Sequence, residues 1–253
     1  MLSQYITETR RLLRDTNSTF YTDAELADYV NAARRRICTN YGVIRKLIPG
    51  TQLGGSSAVP GSAYPGATTP NSTNTAFQTI ANVERYSYGY ANPFARRYTG
   101  IGGISDVITV AVSWAGDSSQ TGVLRPALDW CPFEDFQAYW RAYNQVATSF
   151  PSIWSTTGDG DRGEVYLFPI PGQALEMEWD CFLYPLPLAD NGSFEAIPTP
   201  YTDSIKYYAA YLAYLATQRF GMADTMLQLF EVNTGFSRVG SDRGKTPSFY
   251  AAR

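Results

Sequence analysis

Apolar residues recur at helical spacing near both ends of the chain, and in alternating or short continuous runs between them. At the start, Leu2, Ile6, Thr9 and Leu13 share one helix face, with Tyr5 and Leu12 beside it. The segment stops at the turn-forming run Asp15-Thr16-Asn17-Ser18. Phe20 and Tyr21 then lead into Thr22-Asp23-Ala24-Glu25. A hydroxyl followed by a glutamate at this spacing is a capping box, and it predicts the start of a second helix. Its buried stripe reads Leu26, Val30, Ala33, Ile37 and Tyr41, and Gly42 stands where a left-handed C′ residue is wanted. Arg34, Arg35 and Arg36 fall late in this helix, where the negative dipole end favours cations. The pattern predicts two antiparallel helices joined by a short loop.

The periodicity then changes. Residues 43–53 read as a strand around Val43, Ile44, Leu47 and Ile48. The stretch from Gly54 to Thr75 is rich in Gly, Ser, Thr and Pro and carries no charge, as a long surface loop or linker would. Residues 77–90 alternate around Tyr86, Tyr88 and Tyr90, and 104–114 give a clearer strand. Gly116-Asp117 marks a turn, and Val123-Leu124-Arg125-Pro126 a short strand. A helix is predicted from Pro132 to about Ala147, with Phe136, Tyr139, Trp140 and Tyr143 on one face. Ser152–Thr156 and Glu164–Phe168 flank the turn run GDGDRG as a hairpin, and Leu175–Tyr184 supplies a further strand.

Pro185, Pro187, Pro198 and Pro200 close the β-rich stretch. Thr202 and Asp203 can cap a long helix in which Ile205, Tyr208, Ala209, Leu212, Ala216 and Phe220 recur at helical spacing. Gly221 is expected to break it, and another helix to run from Ala223 to Thr234, with Met226, Leu229 and Phe230 on its apolar side. From Gly235 onward there is no periodicity, as in an extended tail. The predicted class is α+β: a helical bundle from both chain ends, a long β-rich insertion and an extended C-terminal tail. The expected domains are 1–42 with 202–234, then 43–201 with its short helix near 133–147, then the tail 235–253.

Composition narrows what such a chain does. The 253 residues are 44% apolar, enough for a sizeable core. Nineteen Tyr and thirteen Phe suit sheets and protein contact surfaces. A net charge of −3 gives no support for tight binding to bulk nucleic acid. The 17 Arg against 3 Lys suit ordered interfaces, where a planar fork pairs well. Cys38, Cys131 and Cys181 form no CxxC or Cys/His cluster, so buried free thiols are expected and neither a disulfide framework nor zinc is indicated. The opening MLSQYITETRR becomes polar at once, unlike a signal peptide, and no apolar run is long enough to span a membrane.

Catalysis finds no footing in these residues. With no histidine, Ser-His and Cys-His mechanisms and the commonest metal ligand are gone. Glu134-Asp135 falls at a predicted helix start, where acids favour the dipole. Asp159-Gly160-Asp161 with Glu164 resembles a fragment of a calcium loop, but its place between strands favours a turn. Gly100-Ile101-Gly102-Gly103 lacks the lysine and the spacing of phosphate loops. Glycosidases need only two acids, so a glycan-binding or glycan-cleaving β domain stays as an alternative. No cofactor is implied, and the chain is expected not to be an enzyme.

The order of segments is similar to one family. The stretch Thr22-Asp23-Ala24-Glu25-Leu26, followed by Asn31-Ala32-Ala33-Arg34, resembles the N-terminal helical hairpin of head-to-tail adaptor (connector) proteins of tailed bacteriophages. Leu124-Arg125-Pro126 before an acidic helix start, and Ser149-Phe150-Pro151-Ser152-Ile153-Trp154 before a hairpin, also look like that family. So do Val165-Tyr166-Leu167-Phe168-Pro169-Ile170-Pro171, the strand Glu178–Pro185, and Ile197-Pro198 with Tyr201 before the late helix. The loop 54–75 is longer than in the family, and 85–98 lacks its usual strand motif.

The resemblance implies a virion protein at the head–tail junction, synthesised in a bacterial host. Copies would self-associate in a ring, commonly dodecameric, beneath the portal protein. The ring would close the filled head, pass genomic DNA without reading its sequence, take part in DNA ejection, and receive a tail nozzle or tail tube protein. It implies no membrane. In such a ring, Arg34, Arg35, Arg36, Tyr86, Tyr88, Tyr90 and Trp140 are candidates for contacts between subunits. Arg238, Arg243, Phe249, Tyr250 and Arg253 of the tail are candidates for portal contact. Another tail component, a nozzle or stopper, would share the structural class.

Overall fold

The first helix, α1 (Leu2–Leu13), buries Leu2, Tyr5, Thr9 and Leu13. It ends where Arg14 takes a left-handed backbone, φ 58°. The chain is then turned by Asp15, whose carboxylate accepts from the backbone N–H groups of Thr19, Phe20 and Tyr21. The capping box is formed as the sequence predicts. Thr22 Oγ1 accepts from Glu25 N at 3.2 Å, and Thr22 N donates to the Glu25 carboxylate at 2.9 Å. Together these satisfy two donors that a helix start leaves orphaned. Helix α2 (Asp23–Tyr41) buries Leu26, Val30, Ala33 and Ile37, and Gly42 closes it at φ 56°.

This computed structural model describes residues 1–48, 77–113, 126–141, 150–158 and 160–241. After α2 come β1 (Ile44–Ile48), β2 (Arg85–Ser87), α3 (Tyr88–Ala95), β3 (Ile101–Ser113) and β4 (Asp129–Trp130). A single turn α4 (Phe133–Asp135) passes into a π turn, Phe136–Trp140. Strands β5 (Ile153–Thr157), β6 (Glu164–Phe168) and β7 (Glu176–Pro185) precede the helices α5 (Thr199–Ala216) and α6 (Phe220–Ser241). The loop 54–75, the turn at Gly116-Asp117, Val123–Arg125 and the helix end beyond Arg141 lie outside the described residues. The mixture of helices and two sheets is the α+β fold that the periodicity predicts.

Several elements differ from the sequence reading. The tyrosine-rich stretch is a strand only through Ser87, whose side chain caps α3 by accepting from Tyr90 N. A cap and a local helix thus overrode the alternation of Tyr86, Tyr88 and Tyr90. The helix near 133 is a π turn, and its longer repeat moves Tyr139 off the buried face. Phe136 is fully buried while Tyr139 is 64% exposed. Helix α5 starts at Thr199, ahead of Thr202, because Pro200 sits in its first turn, where no N–H is needed. It stops before Phe220, and Gln218 makes the left-handed break at φ 57°, so Gly221 lies inside α6. Helix α6 also continues through Gly235 to Ser241, seven residues into the expected tail.

Two compact units divide the chain. One comprises Met1–Ile44, Tyr98–Gly102 and Leu183–Arg253, and the other Arg45–Arg97 and Gly103–Phe182. In the first, α5 packs against α1, α2 and α6. Leu13, Tyr21, Leu26, Ala210, Ala213, Tyr214, Ala223 and Met226 form its helical core. Burying each large aliphatic side chain there contributes roughly 1.5–3 kcal/mol. Two tyrosines tie the helices by their hydroxyls: Tyr21 donates to Ala213 O at 3.1 Å and Tyr214 to Leu12 O at 3.0 Å.

The sheets have the orders β1-β7-β3 and β2-β6-β5-β4, the latter wholly within the second unit. Strands β5 and β6 form the antiparallel hairpin, in register from Ile153↔Phe168 to Thr157↔Glu164, while β4 runs parallel to β5. Strand β7 alternates cleanly, with Met177, Trp179, Cys181 and Leu183 buried. Its outward Asp180 pairs with Arg45 of β1. Phe77 and Tyr88 both meet the Trp179 ring edge-on, at 4.9 and 6.3 Å between centroids, as aromatic quadrupoles prefer.

Candidate functional site

The described residues with potential for chemistry lie at a helix start, at a close backbone approach and in a hairpin turn. Glu134 and Asp135 lie in the first turn of α4 and are exposed. The run from Gly100 to Gly102 is a close approach: Gly100 has φ 79°, and a Cβ there would meet Phe194 and Ala196. A Cβ on Gly102 would press on the Pro185 backbone at 3.1 Å. The hairpin turn carries Gly158 and Gly160 at φ 72° and 56° around a short 3-10 turn, and Asp159 lies outside the described residues. Among the described residues no group of acids and cysteines is arranged to hold a metal ion. No helix among them is long and apolar enough to cross a membrane.

Asn31 and Arg34 share one turn of α2, and both grip the segment that follows β7. The Asn31 amide donates to Leu188 O at 3.1 Å and accepts from Leu188 N at 2.8 Å, as a neighbouring strand would. Arg34 donates to Leu186 O at 2.8 Å and forks onto Glu195 at 2.9 and 3.0 Å. Tyr5 donates to the same carboxylate at 3.1 Å, and Ile197 N completes it at 3.0 Å. Burial, then the Glu195 charge, pushes the Tyr5 hydroxyl far above its ordinary value. Arg34 is therefore an internal clasp, a role its place in a basic triplet hid. The Asn-Ala-Ala-Arg spacing is the signal that could have found it.

The aromatic candidates lie in the second unit. Tyr86 is buried, with its hydroxyl donating to Val83 O at 2.9 Å and accepting from Ile80 N at 3.0 Å. Tyr88 is buried and donates to Asp106 at 3.4 Å. Tyr90 is half-buried and donates to Gln78 O at 2.9 Å. Trp140 is half-buried, its ring 5.1 Å from that of Phe168. Among the described residues of this unit, exposed apolar surface comes instead from Trp130 and Tyr139, at 59% and 64%, with Leu47 and Ile80 at 47% and 48%. Tyr139 also lines a depression with Cys131, Asp135 and Trp140.

In the first unit, Arg35 and Arg36 point outward from α2, next to the buried Arg34. Helix α6 carries exposed Met222, Leu229 and Val232, which the sequence reading did not single out as a surface. Arg238 lies within α6, whereas Arg243, Phe249, Tyr250 and Arg253 lie outside the described residues. Among the described residues these exposed side chains offer surfaces suited to association. No curated protein matches the chain. A family model described as SU10 adaptor protein matches residues 2–248, so the chain belongs to that family of phage adaptor-type structural proteins.

Proposed function

We propose that this chain is a head-to-tail adaptor subunit: copies form a ring beneath the portal, close the filled head, pass the DNA and dock the tail. The observation that carries the reading is the family match, which runs almost from end to end of the chain. The fold suits the task. A four-helix core tied by tyrosine hydroxyls and a buried arginine clasp gives a stiff body. The net charge of −3 keeps a passage from gripping DNA where acids face the lumen. The domain split into a helical ring body and a β-rich insertion reaching toward the tail and neighbouring subunits is part of the same proposal, as is portal contact by the C-terminal residues.

Imaging of the particle neck tests it. Density for this chain, fitted as a ring between portal and tail, is the expected result. A position elsewhere in the virion overturns the head-to-tail assignment, and one lower in the tail would make the protein a nozzle or stopper.

A further inference from the structure

Helix α6 is apolar on more than its core face. Ala223, Met226, Phe230 and Thr234 are buried, and Phe230 packs on Tyr208 of α5 with ring centroids 5.0 Å apart. Met222, Leu229 and Val232 are 45%, 38% and 53% exposed. Their spacing of seven and then three residues places them along one side of the helix. At the far edge of the same outer surface stand Asp224 and Glu231, also seven apart and exposed. Neither makes an ion pair among the described residues. Exposed apolar side chains in a row with a charged rim mark a surface that a partner covers.

The complementary charge is on another flank of the same bundle. Arg35 and Arg36 of α2 are exposed, and neither makes an ion pair among the described residues. Helix α5 packs against both α2 and α6, whereas α6 packs chiefly on α5. The acidic, apolar surface of α6 and the basic surface of α2 thus do not satisfy each other within one copy.

We infer that the outer face of α6 in one copy seats on the outer face of α2 in the next, with Asp224 and Glu231 against Arg35 and Arg36. Such a contact is head-to-tail, and it closes into a ring when its rotation divides a full turn. The inference rests on the adaptor reading and adds to it the two faces that meet. Met222, Leu229 and Val232 supply the apolar centre, and the charges fix which face pairs with which.

Crosslinking in assembled particles tests this. Full-length protein carrying p-benzoylphenylalanine in place of the exposed Val232 is irradiated, and the adducts are mapped by mass spectrometry. Copy-to-copy adducts on the α2 peptide around Arg35 and Arg36 are expected. Glu231→Arg should abolish them, and Arg36→Glu in the same chain should restore them. An adduct to a different protein, an adduct mapping to α6 itself, or a yield indifferent to the charge reversals overturns the face assignment. A ring imaged at the neck beside such a result leaves the adaptor reading standing. Absence from the neck removes that reading instead.

Discussion

The Arg34 guanidinium and the Glu195 carboxylate are paired out of water, with side chains only 1% and 4% exposed, across 161 residues of sequence. Each is also hydrogen-bonded to backbone, so few of their polar atoms are left over. Removing one partner of a pair so buried leaves an uncompensated charge. Arg34→Leu is therefore expected to lower unfolding stability by about 3–5 kcal/mol. Adding Glu195→Leu should give back part of that loss, through a coupling of roughly 0.5–3 kcal/mol. Chemical denaturation of the four proteins of this cycle measures it, and strict additivity would show that the pair is not coupled.

Asp15 ties stability to pH. Burial pushes its carboxyl up, but the backbone N–H groups of Thr19, Tyr21 and Phe20, and then Arg10, together hold it below its ordinary value near 3.8. A depressed native pKa stabilises the fold above the ordinary value, and that contribution is lost as pH falls through the native one. Asp15→Asn should thus be less stable than the natural protein at neutral pH, and the gap should narrow as the pH falls below the ordinary value of 3.8 and through the lower native one. Denaturant midpoints along that range decide it. A gap that stays constant would mean that the carboxylate charge plays no part.

The helical hairpin was legible because its signals are local. A cap, a stripe and a C′ glycine lie within the Thr22–Gly42 segment and agree with one another. The alternating burial of β7 was legible for the same reason. What misled was local pattern with a second meaning. Three tyrosines at alternate positions suggest a strand, yet Ser87 caps a helix from Tyr88. Gly235 suggests a helix end, yet α6 runs through it, so packing of the helix offsets the glycine penalty of about 1 kcal/mol. For the interface candidates the obstacle was different. Within α2 only the place of Arg34 beside the stripe of Val30, Ala33 and Ile37, three residues after Asn31, sets it apart from the outward Arg35 and Arg36, while its partner Glu195 belongs to a distant segment. Adjacent helix positions differ by about 100° in direction, so only one of the three meets that segment.

The cysteines should be sorted by burial. Cys38 and Cys181 are 1% and 0% exposed, whereas Cys131 is half-exposed. Burial pushes the Cys38 thiol up to about 12 and that of Cys181 well above its usual range, so neither supplies thiolate near neutral pH. Titration of native protein with Ellman's reagent is expected to show one fast thiol of the three, and Cys131→Ser should remove it. Fast reaction of a second thiol would mean that one of the two cores opens readily.

Among the described glycines, a Cβ on Gly163 would approach a neighbour most closely, and that neighbour is Tyr88. Tyr88 N donates to Gly163 O at 2.8 Å, and a Cβ on Gly163 would fall within 3.0 Å of three ring atoms of Tyr88. The ring cannot swing away freely, because it packs on Trp179 and its hydroxyl reaches Asp106. Overpacking of this kind costs about 1–3 kcal/mol, so Gly163→Ala should lower the melting temperature. In a Tyr88→Leu background the added methyl finds room, and the same substitution should cost less. This cycle also bears on the interface proposal. A tyrosine whose main work is between subunits would leave the isolated chain's stability almost unchanged when replaced. A tyrosine 2% exposed within one chain lowers it directly, and thermal unfolding of the unassembled protein tells the two apart.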